Sequence, residues 1–184
     1  MKRTIITFIA CIATITMAIA QNQPSSGASQ TVSLALANVV QITQFSTGSG
    51  NSGPVEMPLA GTNVMANGIE SPEYSVSINS TNGFSVKAQA VSEYFTYTGN
   101  ATTNTNMRVS DVLQLKVANN STTGTVAGGH TSYQPVSGSA QSQIINNGSR
   151  GANQTFAIKY KATPGYNYSG GNYSASILYT VTQF

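Results

Sequence analysis

Residues 172–184 carry the strictest pattern in the chain. Tyr173, Ala175, Ile177, Tyr179 and Val181 fall on one side of an extended segment, and Ser174, Ser176, Leu178, Thr180 and Thr182 fall on the other. A period of two belongs to a β-strand. β-branched and aromatic residues dominate it, as strands prefer. The segment runs to the last residue, and residues 154–162 show the same order, with Phe156, Ile158, Tyr160 and Ala162 alternating with Thr155, Ala157, Lys159 and Lys161. The two segments flank a tyrosine-bearing loop bracketed by Pro164-Gly165 and Gly170-Gly171, and this spacing predicts that they pair.

Similar alternation recurs upstream. Residues 31–42 predict a first strand, with Val32, Leu34 and Leu36 in phase and a break at Asn38. Residues 73–79 and 84–91 predict a hairpin. Asn82-Gly83 between them suits a type I′ turn, which needs positive φ at both central positions. Shorter strands are expected at 63–66, 94–98, 113–117, 132–136 and 142–145, and an edge strand at 55–59, where Pro58 removes a donor. Helix is a candidate only at 107–111. Eight to ten strands with frequent turn signals predict an all-β protein, a single antiparallel β-sandwich with no substantial helix.

The first residues change the domain picture. Lys2 and Arg3 precede a mostly apolar run, and Ala18-Ile19-Ala20 follows as an A-x-A site. Residues 1–20 therefore read as a cleaved signal peptide, 21–30 as a flexible leader and 31–184 as the sandwich domain. Export is expected, to the periplasm, the cell surface or the outside, with no membrane span left after cleavage. Cys11, the single cysteine, lies too early in the apolar run for a lipoprotein site and leaves with the signal, so no disulfide is expected.

Charge excludes some partners. Six of the eight Lys and Arg residues lie beyond residue 20, against five Asp and Glu, and they form no run. A nucleic-acid surface needs a basic stripe, so none is expected. Ser, Thr, Asn, Gln and Gly carry the solubility instead, which suits a surface that packs beside others or meets sugars.

Catalytic chemistry finds little material. Four of the five acids lie in or beside turns, and the Glu70–Glu73 pair flanks Ser71-Pro72. His130 is the sole histidine, follows Gly128-Gly129 in a loop expected to be solvated, and has no G-x-S-x-G motif to serve. No metal cluster, calcium loop or phosphate cradle is apparent, so no catalytic residue, metal or cofactor is expected. The Asn-x-Ser/Thr triplets are as numerous as this composition would produce by itself. Tyr166 and Tyr168, in the loop before the last strand, are the candidate glycan contacts.

The final strand resembles the C-terminal strand of bacterial fimbrial subunits, immunoglobulin-like sandwiches assembled by donor-strand exchange. Gly171 stands fourteenth from the end, and Ile177, Tyr179 and Val181 alternate as that pattern asks. The sequence departs from it at Gln183-Phe184, where the aromatic is last rather than penultimate, and in lacking the paired cysteines. An outer-membrane barrel also ends in Phe, but no lipid-facing band is evident on every strand. The resemblance implies a non-enzymatic structural or adhesive surface protein whose partners are copies of itself or other surface subunits. Val32, Leu34 and Leu36 would close their own sheet or a neighbour's by strand addition, and Gly171, Ile177, Tyr179 and Val181 would mark the last strand as a second assembly strand. The alternatives are a non-catalytic carbohydrate-binding module and, more distantly, an enzyme.

Overall fold

Alternation becomes burial wherever a strand covers one side of the core. In the computed structural model, which describes residues 33–47 and 54–184, Tyr74, Val76 and Ile78 are buried while Ser75 is exposed. The signal peptide, the leader, Val32 and the 48–53 loop lie outside the described residues. Residues 36–184 form one compact unit, and residues 33–35 are grouped apart from it.

Among the described residues twelve strands and two short helices follow in order: β1 (Val40–Thr47), α1 (Thr62–Asn67), β2 (Ile69–Glu70), β3 (Tyr74–Ser80), β4 (Phe84–Ala90), β5 (Thr96–Thr98), α2 (Val109–Val112), β6 (Leu113–Asn120), β7 (Thr125–Val126), β8 (Gln134–Pro135), β9 (Ser142–Gly148), β10 (Gly151–Ala162), β11 (Asn172–Ser174) and β12 (Ile177–Gln183). One sheet has the order β1-β3-β10-β6-β8, with β2 also on β10, and the other has the order β12-β4-β9-β7. All pairings are antiparallel. The protein is all-β and sandwich-like, as its patterning predicts.

The inner faces supply one core. Val76 lies opposite Phe156, and Tyr74 opposite Ile158, between β3 and β10. Tyr160 lies opposite Leu115, and Ala162 opposite Leu113, between β10 and β6. The second sheet contributes Phe84, Val86, Ala88 and Ala90 from β4 and Ile144 and Ile145 from β9. Fully burying a side chain of this size contributes roughly 1.5–3 kcal/mol.

Five expectations need correction. Residues 55–59 form no edge strand and have no regular structure, as Pro58 makes unsurprising. The described part of residues 31–42 is not a strand before Val40. Strand structure begins at Val40, and residues 33–39 have no regular structure, with Leu34 and Leu36 80% and 82% exposed. Residues 62–67 form helix α1 rather than a brief strand, bracketed by Gly61 and Gly68, both at positive φ. The 74–80 and 84–90 strands are not a hairpin. They lie in different sheets, and neither Asn82 nor Gly83 has positive φ. The chain crosses between sheets there, held by Ser80 Oγ donating to the Asn82 carbonyl at 2.9 Å and by Thr81 N–H donating to Val39 O at 3.0 Å.

The last correction concerns the C-terminal segment. Its partner is β4, not residues 154–162, which lie in the other sheet. The alternating run is also divided. Tyr173 belongs to β11, which pairs with β5 in a separate two-stranded ribbon, and β12 starts only after Ala175-Ser176. Both corrections have the same cause: alternation fixes which face a residue takes and leaves the choice of neighbouring strand open.

Candidate functional site

Two regions collect the candidate residues. The first is the outer edge of β12. Ile177, Tyr179 and Val181 point to the core opposite Ala90, Ala88 and Val86 of β4. The β4 residues are buried, whereas the three β12 residues are only half-buried. Among the described residues β12 has β4 as its one neighbour in the sheet. At its end, Gln183 Nε2 donates to Val39 O at 2.8 Å and to Ser80 Oγ at 2.9 Å, so the edge strands of the two sheets, β12 and β1, meet where the chain enters β1.

Gly171 does not sit in this edge. It precedes β11 with φ 157°, and a Cβ there would run into the Tyr97 ring. Its bareness serves the ribbon, where the rings of Tyr97 and Tyr173 pack at a 50° tilt with centroids 5.0 Å apart and Phe95 meets Tyr173 edge-on at 6.5 Å. Burial, more than the charges of neighbouring Tyr97 and Tyr168, raises the Tyr173 phenol above its ordinary value.

The second region lies beside that ribbon. Ser169 N–H donates to Asn104 O at 3.1 Å, and Ser169 Oγ donates to Thr103 O at 2.7 Å. These bonds hold the loop after β10 against the loop after β5. Between them is an open concavity of about 280 Å³ lined by Thr102, Asn104, Thr105, Asn106, Asn167 and Tyr168. Of the two tyrosines singled out from sequence, Tyr168 lines it. Tyr166, 65% exposed, donates instead to Thr62 O at 2.9 Å. The lining residues from 102–106 carry no strand pattern or motif in the sequence. The signal that would have found them is the cross-strand match of Tyr97 with Tyr173, which brings the two loops together.

His130 differs from its expectation. It is 2% exposed rather than solvated. Its Nδ1 lies 3.0 Å from Ala127 O, and Nε2 lies 3.4 Å from Ser142 Oγ. Its own carbonyl accepts from Val117 N–H at 2.7 Å. The ring donates through Nδ1 to the carbonyl, which leaves Nε2 to accept from the serine, so this pair ties the 127–132 loop to β9 and β6.

Charge gathers at the Arg108–Glu93 pair, 2.9 Å apart, and on the outer face of β6 and β10. Lys116 Nζ lies 4.4 Å and Lys161 Nζ 6.0 Å from the Tyr133 ring centroid, and Lys159 Nζ lies 3.6 Å from Glu70 Oε2. Among the described residues no three His, Cys, Asp or Glu side chains gather to hold a metal ion, and no helix is long and apolar enough to cross a membrane. No protein-family model matches the sequence, and no curated protein matches it.

Proposed function

We propose that this is an exported structural protein of the bacterial cell surface, of fimbrial type, whose copies join by strand addition. The segment around Val32, Leu34 and Leu36 of one copy would lie along the β12 edge of the next. The observation that carries the reading is the exposure of Leu34 and Leu36, alternate apolar residues in a segment without regular structure. Apolar side chains spaced for a strand and left in water favour pairing with an open sheet edge. The half-buried Ile177 and Val181, core-facing on a strand at the edge of its sheet, supply the complementary surface. Each leucine so covered would contribute roughly 1.5–3 kcal/mol, and backbone bonds would set the register.

The test is electrophoresis of the purified mature protein in detergent with and without boiling, alongside size-exclusion chromatography. Ladders of multiples that collapse on boiling are expected. Leu34→Asp and Leu36→Asp, both at exposed positions, should abolish the ladder and leave the monomer as stable as before. A monomer at all concentrations, or a ladder indifferent to both substitutions, would refute the reading.

A further inference from the structure

We propose that the concavity between the loops after β5 and β10 binds a neutral glycan. The loops divide their polar groups into two sets. One set builds the frame. Tyr97 Oη donates to Gly170 O at 3.1 Å and accepts from Ala101 N–H at 3.0 Å. Tyr173 Oη donates to Ser169 O at 2.8 Å, and Ser169 clamps Thr103 and Asn104 through their carbonyls. Asn104 is held at φ 55°, in the left-handed region that Asn tolerates better than most residues. The walls are therefore fixed before any ligand arrives, which lowers the cost of binding.

The other set faces the space. Among the described residues the side chains of Thr102, Asn104, Thr105, Asn106 and Asn167 make no hydrogen bond, although they surround one concavity. Three carboxamides and two hydroxyls offer both donors and acceptors. Adjacent sugar hydroxyls need such paired partners, and Tyr168 supplies the one aromatic surface, against which a sugar's C–H face can pack. No charged residue lines the space, which argues against phosphorylated or uronic-acid ligands. One ring in an otherwise polar wall offers too little apolar area for a lipid or an apolar peptide. Convergent polar groups around a preformed hollow are one feature of a small-ligand site, and the polar wall suits a ligand as hydroxyl-rich as a sugar. The site is remote in kind from strand addition and would operate in a single copy.

The experiment is a titration of the isotope-labelled mature protein with neutral trisaccharides built from glucose, mannose, galactose, fucose or N-acetylglucosamine, followed by amide chemical shifts. At least one should move the signals of residues 102–106 and 167–168 saturably. Asn104→Gly keeps the left-handed backbone and the carbonyl that accepts from Ser169, and removes only the amide. It should weaken binding about tenfold, the cost of one or two lost hydrogen bonds, with an unchanged melting temperature. Asn106→Ala should act alike. Tyr168→Ala should also weaken binding, but Tyr168 packs against the core, so the asparagine variants decide. No saturable shift at these residues with any of the sugars would overturn the proposal, as would shifts confined to another surface or binding unchanged in both asparagine variants.

Discussion

The hydroxyls of Tyr160 and Tyr179 meet 2.6 Å apart inside the sandwich. Tyr160 stands on β10 in one sheet and Tyr179 on β12 in the other, so this hydrogen bond crosses between the two layers inside the core. Room for it comes from Ala88, the small residue opposite Tyr179 on β4. A buried hydroxyl that loses its partner keeps its desolvation cost, whereas removing both hydroxyls together removes that cost. Tyr160→Phe alone and Tyr179→Phe alone should each destabilise by about 1–3 kcal/mol. The double variant should lose less than the sum of the two, with a coupling of about 1 kcal/mol in a urea-denaturation cycle. Strict additivity would show that the bond does not bridge the sheets in solution.

The same pair sets an alkaline limit. Burial raises the Tyr160 phenol to about 12, against a smaller opposing effect of its bond to Tyr179. Burial is also the first cause of the rise at Tyr179, well above the ordinary value. A folded-state value above the unfolded one means that the neutral phenol favours the native state. The resulting stability is complete below pH 10, where unfolded tyrosine titrates, and is lost as pH rises through the folded values. Denaturation midpoints measured from pH 8 upward should stay level and then fall beyond about pH 10. The Tyr160→Phe, Tyr179→Phe double variant should show a shallower fall. An equally steep fall in the double variant would place the alkaline limit elsewhere.

At acid pH the relevant group is Glu70. The Tyr133 hydroxyl beside it is the largest influence lowering its value, partial burial opposes, and the charges of Lys116 and Lys159 lower it further. That hydroxyl is buried and meets no partner with ordinary hydrogen-bond geometry among the described residues. A lowered folded-state value contributes stability that is present above pH 4.5 and lost as pH falls through the folded value. Glu70→Gln should therefore flatten the loss of melting temperature below that point and lower it modestly at pH 7. The Glu70 side chain is 44% exposed, so solvent screens the effect. An unchanged acid limb in the variant would show that Glu70 contributes nothing to it.

Much of this fold was legible because burial follows period-two alternation directly. Phe156, Ile158 and Tyr160 were read as inward and are buried. What alternation could not convey was connectivity. Asn82-Gly83 has the composition of a hairpin turn, yet the tertiary packing of two sheets turned it into a crossing. Residues 63–66 lie between two glycines that start and stop a helix, a local effect weaker than the strand pattern and easily missed. The β12 edge was legible as a strand but not as an edge. The concavity-lining residues on the 102–106 loop were illegible because their grouping depends on a ribbon pairing partners more than seventy residues apart, Tyr97 with Tyr173. The burial of His130 was illegible because it depends on how the 127–132 loop folds onto β9, where Ser142 meets the ring.

Two glycines give a test of where this sandwich is rigid. A Cβ on Gly148 would lie 2.5 Å from the Phe84 ring, and a Cβ on Gly83 would lie 2.6 Å from the Phe184 ring. The clashes are nearly equal in distance, and neither glycine is at positive φ, so the backbone itself tolerates alanine at both positions. The rings differ in what surrounds them. Phe84 is fully buried in the core, whereas Phe184 is 70% exposed. Native interiors are close-packed, so the Phe84 ring can yield only by displacing Val86, Ile144 and the other residues of the core. The Phe184 ring can swing into solvent. Gly148→Ala should therefore cost about 1–3 kcal/mol, the usual range for overpacking. Gly83→Ala should stay within about 0.5 kcal/mol, as surface substitutions do. Urea denaturation of the two variants measures both. Equal costs would mean that the Phe184 ring is held as firmly as the Phe84 ring. That result would make the backbone bond from Phe184 N–H to the Gly83 carbonyl, at 3.0 Å, the anchor of a fixed end to β12.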